Sequence, residues 1–494
     1  MSTASGNLFD KLFVGRREYL EEFERLINEK ANYRVLFIPG EGGIGKTWLL
    51  RKMLALANEK KDLNNLLPPD NIIDTYSTAN HSIDGVQEQI VALLKKTFKG
   101  ECFTNYKKFK HEIDVARREG FDEETRSDFE KKARKAFIDD CKTLSESITP
   151  IIFLDTFERV QREEVGRWIL FDMIPELPRY KFVITGREAC EEKSYIHLYT
   201  LRGFTDEEAM EYFLHKRGLP EAPDFADVLS AICEKAKGRP LFIDLAISWF
   251  SDEQLRDSGA LRKLTDDDFQ KALIAPLQQQ QGVFGDAEKD IIGQDTIRNM
   301  AYYHHRFNAR LLQRWAEKQN IILPAGMSSE DILGMIEDVY PFVKRLPDGC
   351  LQHHDEIERL IMDYWWPEYD RRGDIRQGEL APIAVEWYEE LLSDSENESI
   401  FDDLRAEQLA YMMDIDLEQS VQRIEEYDFS QRLNELLVSG ISQERLREFP
   451  PAICYRYATN LGKRATRRDL YEQAQAFWKL ALEVAEQDDS SVGK

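Results

Sequence analysis

The sequence is short of cysteine, of basic charge and of long apolar runs. Its six cysteines are scattered and form no Cys-x-x-Cys pair, so neither a disulfide framework nor a cysteine metal site is supported. No stretch approaches the roughly 20 apolar residues that a membrane helix needs. The first residues, MSTASGNLFD, lack the basic and then apolar pattern of a signal peptide. These absences predict a cytoplasmic protein with no membrane partner.

Basic residues are outnumbered, with 66 Lys and Arg against 91 Asp and Glu, which gives a net charge of −25. A surface this acidic repels nucleic acid phosphates unless a local basic patch reverses the charge. Segment 303–318 carries some positive charge, but a solvated helix face explains it equally well. Nucleic acid is therefore not predicted as a main partner.

What is present is enough apolar material for several hydrophobic cores. The 494 residues are 42% hydrophobic, and this length predicts about three or four domains. We place the boundaries at 1–202 for a nucleotide-binding domain, 203–285 for a helical domain, 286–370 for a winged-helix domain and 371–494 for a helical region.

Strand and helix patterns alternate through the first 200 residues. Apolar runs at 35–38, 71–76, 150–160, 181–188 and 196–201 are typical of strands, and the run at 150–160 is typical of a strand buried on both faces. Helical periodicity separates them, and the charged segment 105–148 predicts one or two exposed helices. This alternation predicts an α/β fold with a parallel, doubly wound sheet.

Helical patterns dominate after Leu201. Thr205 and Glu208 have the spacing of a capping box, and the polar stretch 278–281 is interpreted as a linker. Segment 295–365 has three amphipathic stretches and a Pro-Asp-Gly turn at 347–349, which suits a winged-helix-like module. The last segment has the spacing of one tetratricopeptide unit, although a generic helical hairpin is an equally good interpretation; the residues concerned are Leu461, Gly462, Ala474, Trp478 and Ala481.

The most specific motif is GEGGIGKT at 40–47, which lies between a strand pattern and a helix pattern. Its glycines let backbone N–H groups converge on phosphate. Lys46 supplies a positive charge to the β- and γ-phosphates, and the Thr47 hydroxyl can bind Mg²⁺. The motif predicts ATP or ADP with Mg²⁺, and the predicted nucleotide contacts within and beside it are Gly40, Gly42, Gly43, Ile44, Gly45, Lys46, Thr47 and Trp48.

Three further residues are candidates for the chemistry of the phosphates. Asp155 closes an apolar strand and is expected to hold Mg²⁺ together with Thr47. Glu158 can either polarise an attacking water or simply cap a turn. Arg187 follows the strand at 181–186, where it can reach the γ-phosphate or form a surface ion pair.

Together these segments resemble the STAND class of signal-transduction NTPases, nearest its NB-ARC-like branch. The resemblance covers residues 12–365. It begins with FVGRREYLEEF, continues through GEGGIGKT, LDTFE and ITGRE, and ends with KGRPLFIDLA and LQHHDEIERLI. The resemblance implies that Val14, Gly15 and Arg16 line the adenine site and that Pro240, in the Gly-x-Pro element, packs near the adenine.

The final motif of the resemblance is similar to the family's Met-His-Asp element. His354 and Asp355 match, and His353 replaces the methionine. In the family this histidine contacts the β-phosphate of ADP and locks a closed state. Two departures bear on the output. Thr156 stands where many members have a second acid, which puts fast hydrolysis in doubt, and the short stretch before FVGRREYLEEF leads us to expect no N-terminal effector domain.

The resemblance implies an ATP/ADP-dependent switch that is closed with ADP and that opens and oligomerises on ATP exchange. A protein partner or ligand is expected on the C-terminal helices, with a role in signalling or defence. Three alternatives remain open: a continuously cycling ATPase, for which Glu158 would be the base, a nucleotide-bound transcriptional regulator, and a passive interaction scaffold in which the nucleotide only stabilises the structure.

Overall fold

A computed structural model describes most of the chain and divides it into two compact units, residues 1–273 and 274–494. The described residues are 13–76, 80–98, 100–118, 123–217, 226–249, 257–278, 287–303, 307–340, 342–346, 349–394, 401–426, 437, 441, 443–467 and 471–492. The predicted linker at 278–281 falls outside them except for Gln278, which ends a helix. The four-domain division stays a prediction.

The first unit is built on a parallel sheet. Its strands are β1 (Val35–Pro39), β2 (Leu66–Leu67), β3 (Ile73–Asp74), β4 (Thr149–Asp155), β5 (Lys181–Gly186) and β6 (Ile196–Leu198). The order is β2-β4-β5-β1-β6, and β3 also pairs with β4. Because β2 pairs with the start of β4 and β3 with its end, the two short strands share one edge. The predicted α/β fold is confirmed.

Both faces of this sheet are buried, as the continuous apolar strands predict. In β1, Val35 and Phe37 belong to one hydrophobic cluster, whereas Leu36 and Ile38 belong to the other. The helices that cover the sheet are Arg17–Ile27, Lys46–Lys60, Ile83–Thr97, Thr104–Arg118, Glu123–Leu144 and Glu164–Arg167, the last of which continues through a π-helical stretch (Trp168–Met173) to Ile174–Glu176.

The charged segment at 105–148 differs from its prediction in one respect. It forms the expected two helices, but they are not simply exposed. Tyr106, Ile113, Phe137 and Cys141 are fully buried in the cluster that covers one face of the sheet. The many surface charges hide this narrow apolar stripe in the sequence, because an amphipathic helix needs few apolar residues to cover a sheet.

The first unit ends in helices, as predicted. These are Asp206–Arg217, Ala226–Lys235, Pro240–Trp249, Ser258–Lys263 and Asp266–Gln278, the last of which runs across the division between the units. The capping box is confirmed: the Glu208 N–H donates to the Thr205 hydroxyl, and the Thr205 N–H donates to the Glu208 carboxylate. Two donors at the start of that helix are thereby satisfied.

The second unit starts with three helices and a two-stranded antiparallel hairpin. The helices are Ala287–Tyr303, Ala309–Lys318 and Ser329–Val339, and the strands are β7 (Val343–Arg345) and β8 (Leu351–His353). Phe307, between the first two helices, forms an isolated bridge with Leu351. The three predicted amphipathic segments are therefore helices, and residues 347–348 of the predicted turn lie outside the described part.

The remainder of the second unit is helical, in line with the prediction. Its helical segments are Asp355–Leu360, Ile361–Trp365 (π), Trp366–Tyr369, Arg376–Leu380 (π), Ala381–Ser393, Phe401–Ile415, Leu417–Glu426, Gln443–Arg447, Pro451–Arg467 and Tyr471–Val492. The last two pack as a hairpin, in which a Cβ on Gly462 would lie 3.1 Å from the Trp478 indole. No helix of the described part is long and apolar enough to cross a bilayer.

Candidate functional site

The loop at 40–47 joins β1 to the helix Lys46–Lys60, as the motif requires. Gly43 and Gly45 have φ angles of 73° and 96°, which side chains with a Cβ rarely adopt. Gly45 precedes the helix without any side-chain cap. The first N–H groups of this helix therefore have no capping side chain, and together with the helix dipole they form an anion site.

Lys46 folds back over its own loop. Its ammonium group donates to the carbonyl oxygens of Gly40 (2.6 Å) and Glu41 (2.9 Å). These bonds hold the positive charge at the mouth of the loop. A phosphate group at the helix N-terminus can replace the carbonyl acceptors with a stronger, charge-assisted partner.

Asp155 lies at the carboxyl end of β4, where the sequence places it. It is 4% exposed, and the Thr47 hydroxyl donates to its Oδ2 at 2.5 Å. Oδ1 accepts from the Thr185 hydroxyl and from the Thr156 N–H. The loop threonine and the strand aspartate, predicted as a Mg²⁺ pair, are therefore in direct contact.

Burial raises the pKa of Asp155, and the nearby negative charge of Asp74 raises it further, while the three hydrogen bonds act in the opposite direction. A buried carboxylate beside a hydroxyl supplies oxygen ligands of the kind that Mg²⁺ prefers. The pair fits a magnesium ion bound jointly with nucleotide phosphates.

Asp74 is a site residue that the sequence reasoning missed. It is the register partner of Asp155 on the neighbouring strand β3, and its Oδ1 accepts from the Thr156 hydroxyl at 3.1 Å. In return, the Thr75 hydroxyl donates to the carbonyls of Asp155 and Thr156. Both strands end in Asp-Thr-aromatic, and that repeated tripeptide could have pointed to Asp74.

Glu158 and Arg187 pair with each other. The side-chain Nε of Arg187 lies 3.2 Å from Glu158 Oε1, and the backbone N–H of Arg187 donates to Glu158 Oε2 at 3.1 Å. Burial raises the pKa of Glu158, while the charges of Lys46 and Arg187 lower it. The candidate base and the candidate γ-phosphate sensor are thus brought together, each engaged by the other.

Arg16 is buried beneath the loop. Its guanidinium donates to the Ile44 carbonyl at 3.1 Å and to the Arg202 carbonyl, and it lies over the Phe204 ring. Burial lowers its pKa. Arg16 therefore fixes the loop to the segment that follows β6, and its predicted contact with adenine stays a prediction, as do those of Val14, which is buried, and Gly15.

The Gly-x-Pro element packs on the phosphate loop. A Cβ on Gly43 would lie 3.1 Å from Leu241, and one on Gly45 would lie 4.0 Å from Pro240. The Leu241 N–H also donates to the Gly43 carbonyl. Pro240 is thus beside the loop. Trp48, in the first turn of the helix Lys46–Lys60, is 39% exposed, and its predicted nucleotide contact stays a prediction.

The geometry is now sufficient to define the fold. A loop of this sequence joins a central parallel strand to a helix, and its threonine contacts an aspartate two strands away, across β5. The first unit has a P-loop NTPase fold. This fold implies nucleotide binding.

Comparisons with known proteins give structural likenesses only. No protein-family profile and no curated protein matches the sequence. The chain is similar to the solved structure of a STAND protein with a tetratricopeptide repeat sensor from Pyrococcus horikoshii (14% identity, TM-score 0.48, covering 97% of this chain). The chain spans 65% of the length of that protein.

Two further solved structures are similar over a smaller share of the chain. One is the Drosophila origin recognition complex bound to DNA (12% identity, TM-score 0.32, covering 72% of this chain and 90% of that one). The other is the Holliday junction branch migration motor RuvB of Thermotoga maritima (15% identity, TM-score 0.27, covering 71% and 96%).

In the second unit, the two histidines of the Met-His-Asp-like element have opposite environments. His354 is exposed, and its Nδ1 accepts from the Glu356 N–H at the start of the helix Asp355–Leu360. His353, which takes the methionine position, is 2% exposed, and its Nε2 lies 2.8 Å from the Ile297 carbonyl. Its Nδ1 has no partner among the described residues.

Burial lowers the pKa of His353, although the Ile297 carbonyl and Glu358 oppose the shift. The folded chain therefore keeps this imidazole neutral, while the unfolded chain takes up a proton near pH 6.5. Below that pH the unfolded chain gains a proton that the folded chain does not. The free energy of unfolding therefore falls as the pH falls, by at most about 1.4 kcal/mol per pH unit, and it is unaffected by His353 above that pH.

We therefore expect His353→Met to stabilise the second unit increasingly as the pH falls. Thermal unfolding of the two proteins at pH 7.5, 6.5 and 5.5 should show a widening advantage for the variant, because methionine has no proton to gain. The exposed His111→Met is the matched control and should show none. Parallel curves for wild type and His353→Met would contradict the assignment.

Proposed function

We propose that the chain is an ATP/ADP-dependent switch of the STAND type, closed with ADP and opening to oligomerise after exchange for ATP. The observation that carries this proposal is the connected set Lys46, Thr47 and Asp155. ATP has a γ-phosphate that ADP lacks. That phosphate would add contacts to Lys46, to Arg187 and to the Mg²⁺ ion that Thr47 and Asp155 would hold. The site is therefore suited to distinguishing ATP from ADP.

The free energy that such a switch requires is modest. A 100-fold difference in affinity between two conformations corresponds to about 2.7 kcal/mol. One or two charge-assisted hydrogen bonds present in only one nucleotide state supply that amount. No continuous turnover is needed for the nucleotide to control the conformation.

Slow hydrolysis is the second part of the proposal. Thr156 stands after Asp155 in place of an acid, and its hydroxyl is used by Asp74. Glu158, the remaining candidate base, is paired with Arg187. Both carboxylate oxygens of Glu158 are engaged by Arg187, one by its Nε and one by its backbone N–H, and this leaves the carboxylate poorly placed to orient an attacking water. These contacts favour a switch over the continuously cycling ATPase.

The role in signalling or defence, and the sensing of a protein partner by the C-terminal helices, are likewise proposals. They are supported by the helical hairpin Pro451–Arg467 and Tyr471–Val492, where small residues lie between the two helices. Three helices followed by the hairpin β7–β8 support the winged-helix interpretation of 286–370.

We propose that the second unit responds to the nucleotide through His354. Its imidazole is exposed, and the helix that follows begins at Asp355. We expect His354→Ala to bind ADP less tightly and to assemble at lower concentration than wild type. Gel filtration with light scattering, in ADP and in a non-hydrolysable ATP analogue, measures both effects.

The control for that experiment is His111→Ala, which removes an exposed imidazole from the first unit. It should behave as wild type in both nucleotides. An unchanged mass and an unchanged ADP affinity in His354→Ala would contradict the proposed role of this histidine. Circular dichroism of the variant checks that its helical content matches wild type.

A further inference from the structure

The phosphate loop contains one acidic side chain. Glu41 is the second residue of GEGGIGKT at 40–47, a segment whose backbone N–H groups are arranged for an anion. Its side chain is 65% exposed. A negative charge beside a polyphosphate site repels the ligand. Glu41 therefore lowers the affinity of the loop for nucleotide unless a nearby cation offsets its charge.

A cation of the Gly-x-Pro element lies beside Glu41. The Nε atom of Arg239 is 3.9 Å from Oε2 of Glu41. That distance is too long for a hydrogen bond, and the Arg239 Nε–H group donates instead to the Ala236 carbonyl at 3.2 Å. The contact between Nε and Oε2 is therefore electrostatic, and an anion that accepts hydrogen bonds from the guanidinium can compete with it.

Arg239 is a mostly buried cation. The residue is 9% exposed, and its guanidinium carbon lies 3.8 Å from the centre of the Phe242 ring. The ring attracts the cation and holds the side chain on one side. Because a charge removed from water interacts more strongly with an anion than an exposed charge does, Arg239 is well suited to bind a negatively charged group at the loop.

The two residues that follow Arg239 contact the phosphate loop. The Leu241 N–H donates to the Gly43 carbonyl at 3.2 Å, and a Cβ on Gly45 would lie 4.0 Å from Pro240. Gly45 directly precedes the helix whose first N–H groups form the anion site. These contacts fix the backbone beside the loop, and they place the long Arg239 side chain within reach of phosphates bound there.

Glu41 also contacts the lysine of the phosphate loop. Its backbone carbonyl accepts from the Lys46 ammonium group at 2.9 Å, while its carboxylate lies beside Arg239. Two cations from different parts of the first unit thus meet at one residue. In the structure, Glu41 supplies both of them with oxygen atoms, which are the kind of partner that a phosphate group also offers.

We propose that Glu41 competes with the nucleotide phosphates for Arg239, so that Arg239 binds phosphate and Glu41 sets how tightly nucleotide is held. When phosphate binds, the guanidinium exchanges a carboxylate at 3.9 Å for a hydrogen-bonded oxyanion. The proposal rests on the proposed function, in which ADP must bind at 40–47 and must also leave. A competitor within the loop weakens the binding of ADP and thereby favours its exchange.

The experiment is a double-mutant cycle on the full chain with Glu41→Gln, Arg239→Met and the double variant. Arg239→Met keeps an unbranched side chain against the Phe242 ring, and the backbone N–H of residue 239 still donates to the Ala236 carbonyl. Glu41 is exposed, so all three variants should fold. Each protein is titrated with a fluorescent ADP and with the corresponding adenosine, in Mg²⁺, at about 50 mM and about 500 mM salt.

At low salt we expect Glu41→Gln to bind ADP at least about threefold more tightly than wild type, because phosphate then has no competitor for the guanidinium. Arg239→Met should bind ADP at least about fivefold more weakly, since a charge-assisted contact is lost. In the Arg239→Met background, Glu41→Gln should change ADP affinity by less than about 1.5-fold. Adenosine should bind all four proteins equally, and high salt should reduce each difference seen with ADP.

The matched control removes another ion pair of the first unit, that between Lys142 and Glu176. These two residues precede the strands β4 and β5, so they belong to the edge of the sheet opposite the phosphate loop. Lys142→Gln, Glu176→Gln and their combination change net charge in the same way as the test variants. They should leave ADP affinity unchanged.

Three results would overturn the proposal. The first is an unchanged ADP affinity in Glu41→Gln. The second is an equal gain from Glu41→Gln with and without Arg239, because Glu41 would then act by repulsion of phosphate alone. The third is a gain that adenosine shares. ADP binding that ignores all of these variants would leave the phosphate-loop assignment standing, whereas no ADP binding by wild type would contradict the proposed function as well.

Discussion

Lys46→Ala should lose at least about 99% of the affinity for nucleotide. The Lys46 ammonium group is the only positive charge in the sequence of the loop 40–47, and a hydrogen bond to a charged group contributes roughly 1.5–3 kcal/mol. A loss of about 2.7 kcal/mol is a hundredfold in the dissociation constant. Titration with a fluorescent ADP in the presence of Mg²⁺ measures the change.

The same variant should stay folded. In the structure, Lys46 donates to the carbonyls of Gly40 and Glu41 in its own loop and belongs to neither hydrophobic cluster of the sheet, so its removal should leave the core packing intact. Arg51→Ala is the matched control, because it removes an exposed positive charge from the same helix. Nucleotide affinity of Lys46→Ala within about threefold of wild type would show that the loop does not bind phosphate in the way described.

Asp155→Asn should make the nucleotide-free protein more stable while removing its response to Mg²⁺. The pKa of the buried carboxyl group is raised above its ordinary value, first by burial and then by Asp74. The folded state therefore holds this proton more tightly than the unfolded state does. Stability falls as the pH rises through the range between the ordinary pKa and the raised one, and it stays reduced at neutral pH.

Asparagine has no charge to bury, and the hydroxyls of Thr47 and Thr185 can turn to accept from its amide. We expect the melting temperature of the free variant at pH 7.5 to rise by about 2 °C or more. Added Mg²⁺ should raise ADP affinity about tenfold or more in wild type, as expected for a cation bridging carboxylate and phosphate, but less than about twofold in the variant.

The matched control is Asp172→Asn, which makes the same chemical change at an exposed position of the first unit. It should alter neither the melting temperature nor the effect of Mg²⁺. If Asp155→Asn destabilised the free protein and kept the full Mg²⁺ effect, then Asp155 would be a structural residue and the metal would be held elsewhere.

The sequence was most informative where the backbone conformation is set locally. The glycines of 40–47, the apolar strand that ends in Asp155 and the capping pair Thr205–Glu208 each carry their own structural requirement within a few residues. The P-loop between strand and helix, the parallel sheet and the capping box were predicted from these signals and are confirmed.

The parts that sequence reasoning missed depend on contacts between distant segments. Asp74 reaches the site only because β3 pairs in register with the end of β4, and β3 is two residues long. The pairing of Glu158 with Arg187 joins the ends of two neighbouring strands. No local pattern encodes which strands become neighbours, so neither contact follows from spacing along the chain.

A surplus of charged residues also conceals structural features in this sequence. The helices Thr104–Arg118 and Glu123–Leu144 have a surplus of charged residues, and this hid the stripe that contains Tyr106 and Phe137. Residues 93–110 contain six lysines, but the net charge of −25 over the 494 residues gives no sign of this local excess. A patch of charge becomes visible only once helices are placed next to one another.

The central claim is that a nucleotide held by Lys46, Thr47 and Asp155 sets the assembly state of the chain. Native mass spectrometry reports bound nucleotide and the number of subunits on the same particle. We predict one ADP on a monomer in Mg²⁺–ADP, one analogue per subunit in an oligomer in Mg²⁺ with the non-hydrolysable ATP analogue, and an empty monomer for Lys46→Ala in both. The same subunit number in both nucleotides, or oligomers of Lys46→Ala without nucleotide, would contradict the claim.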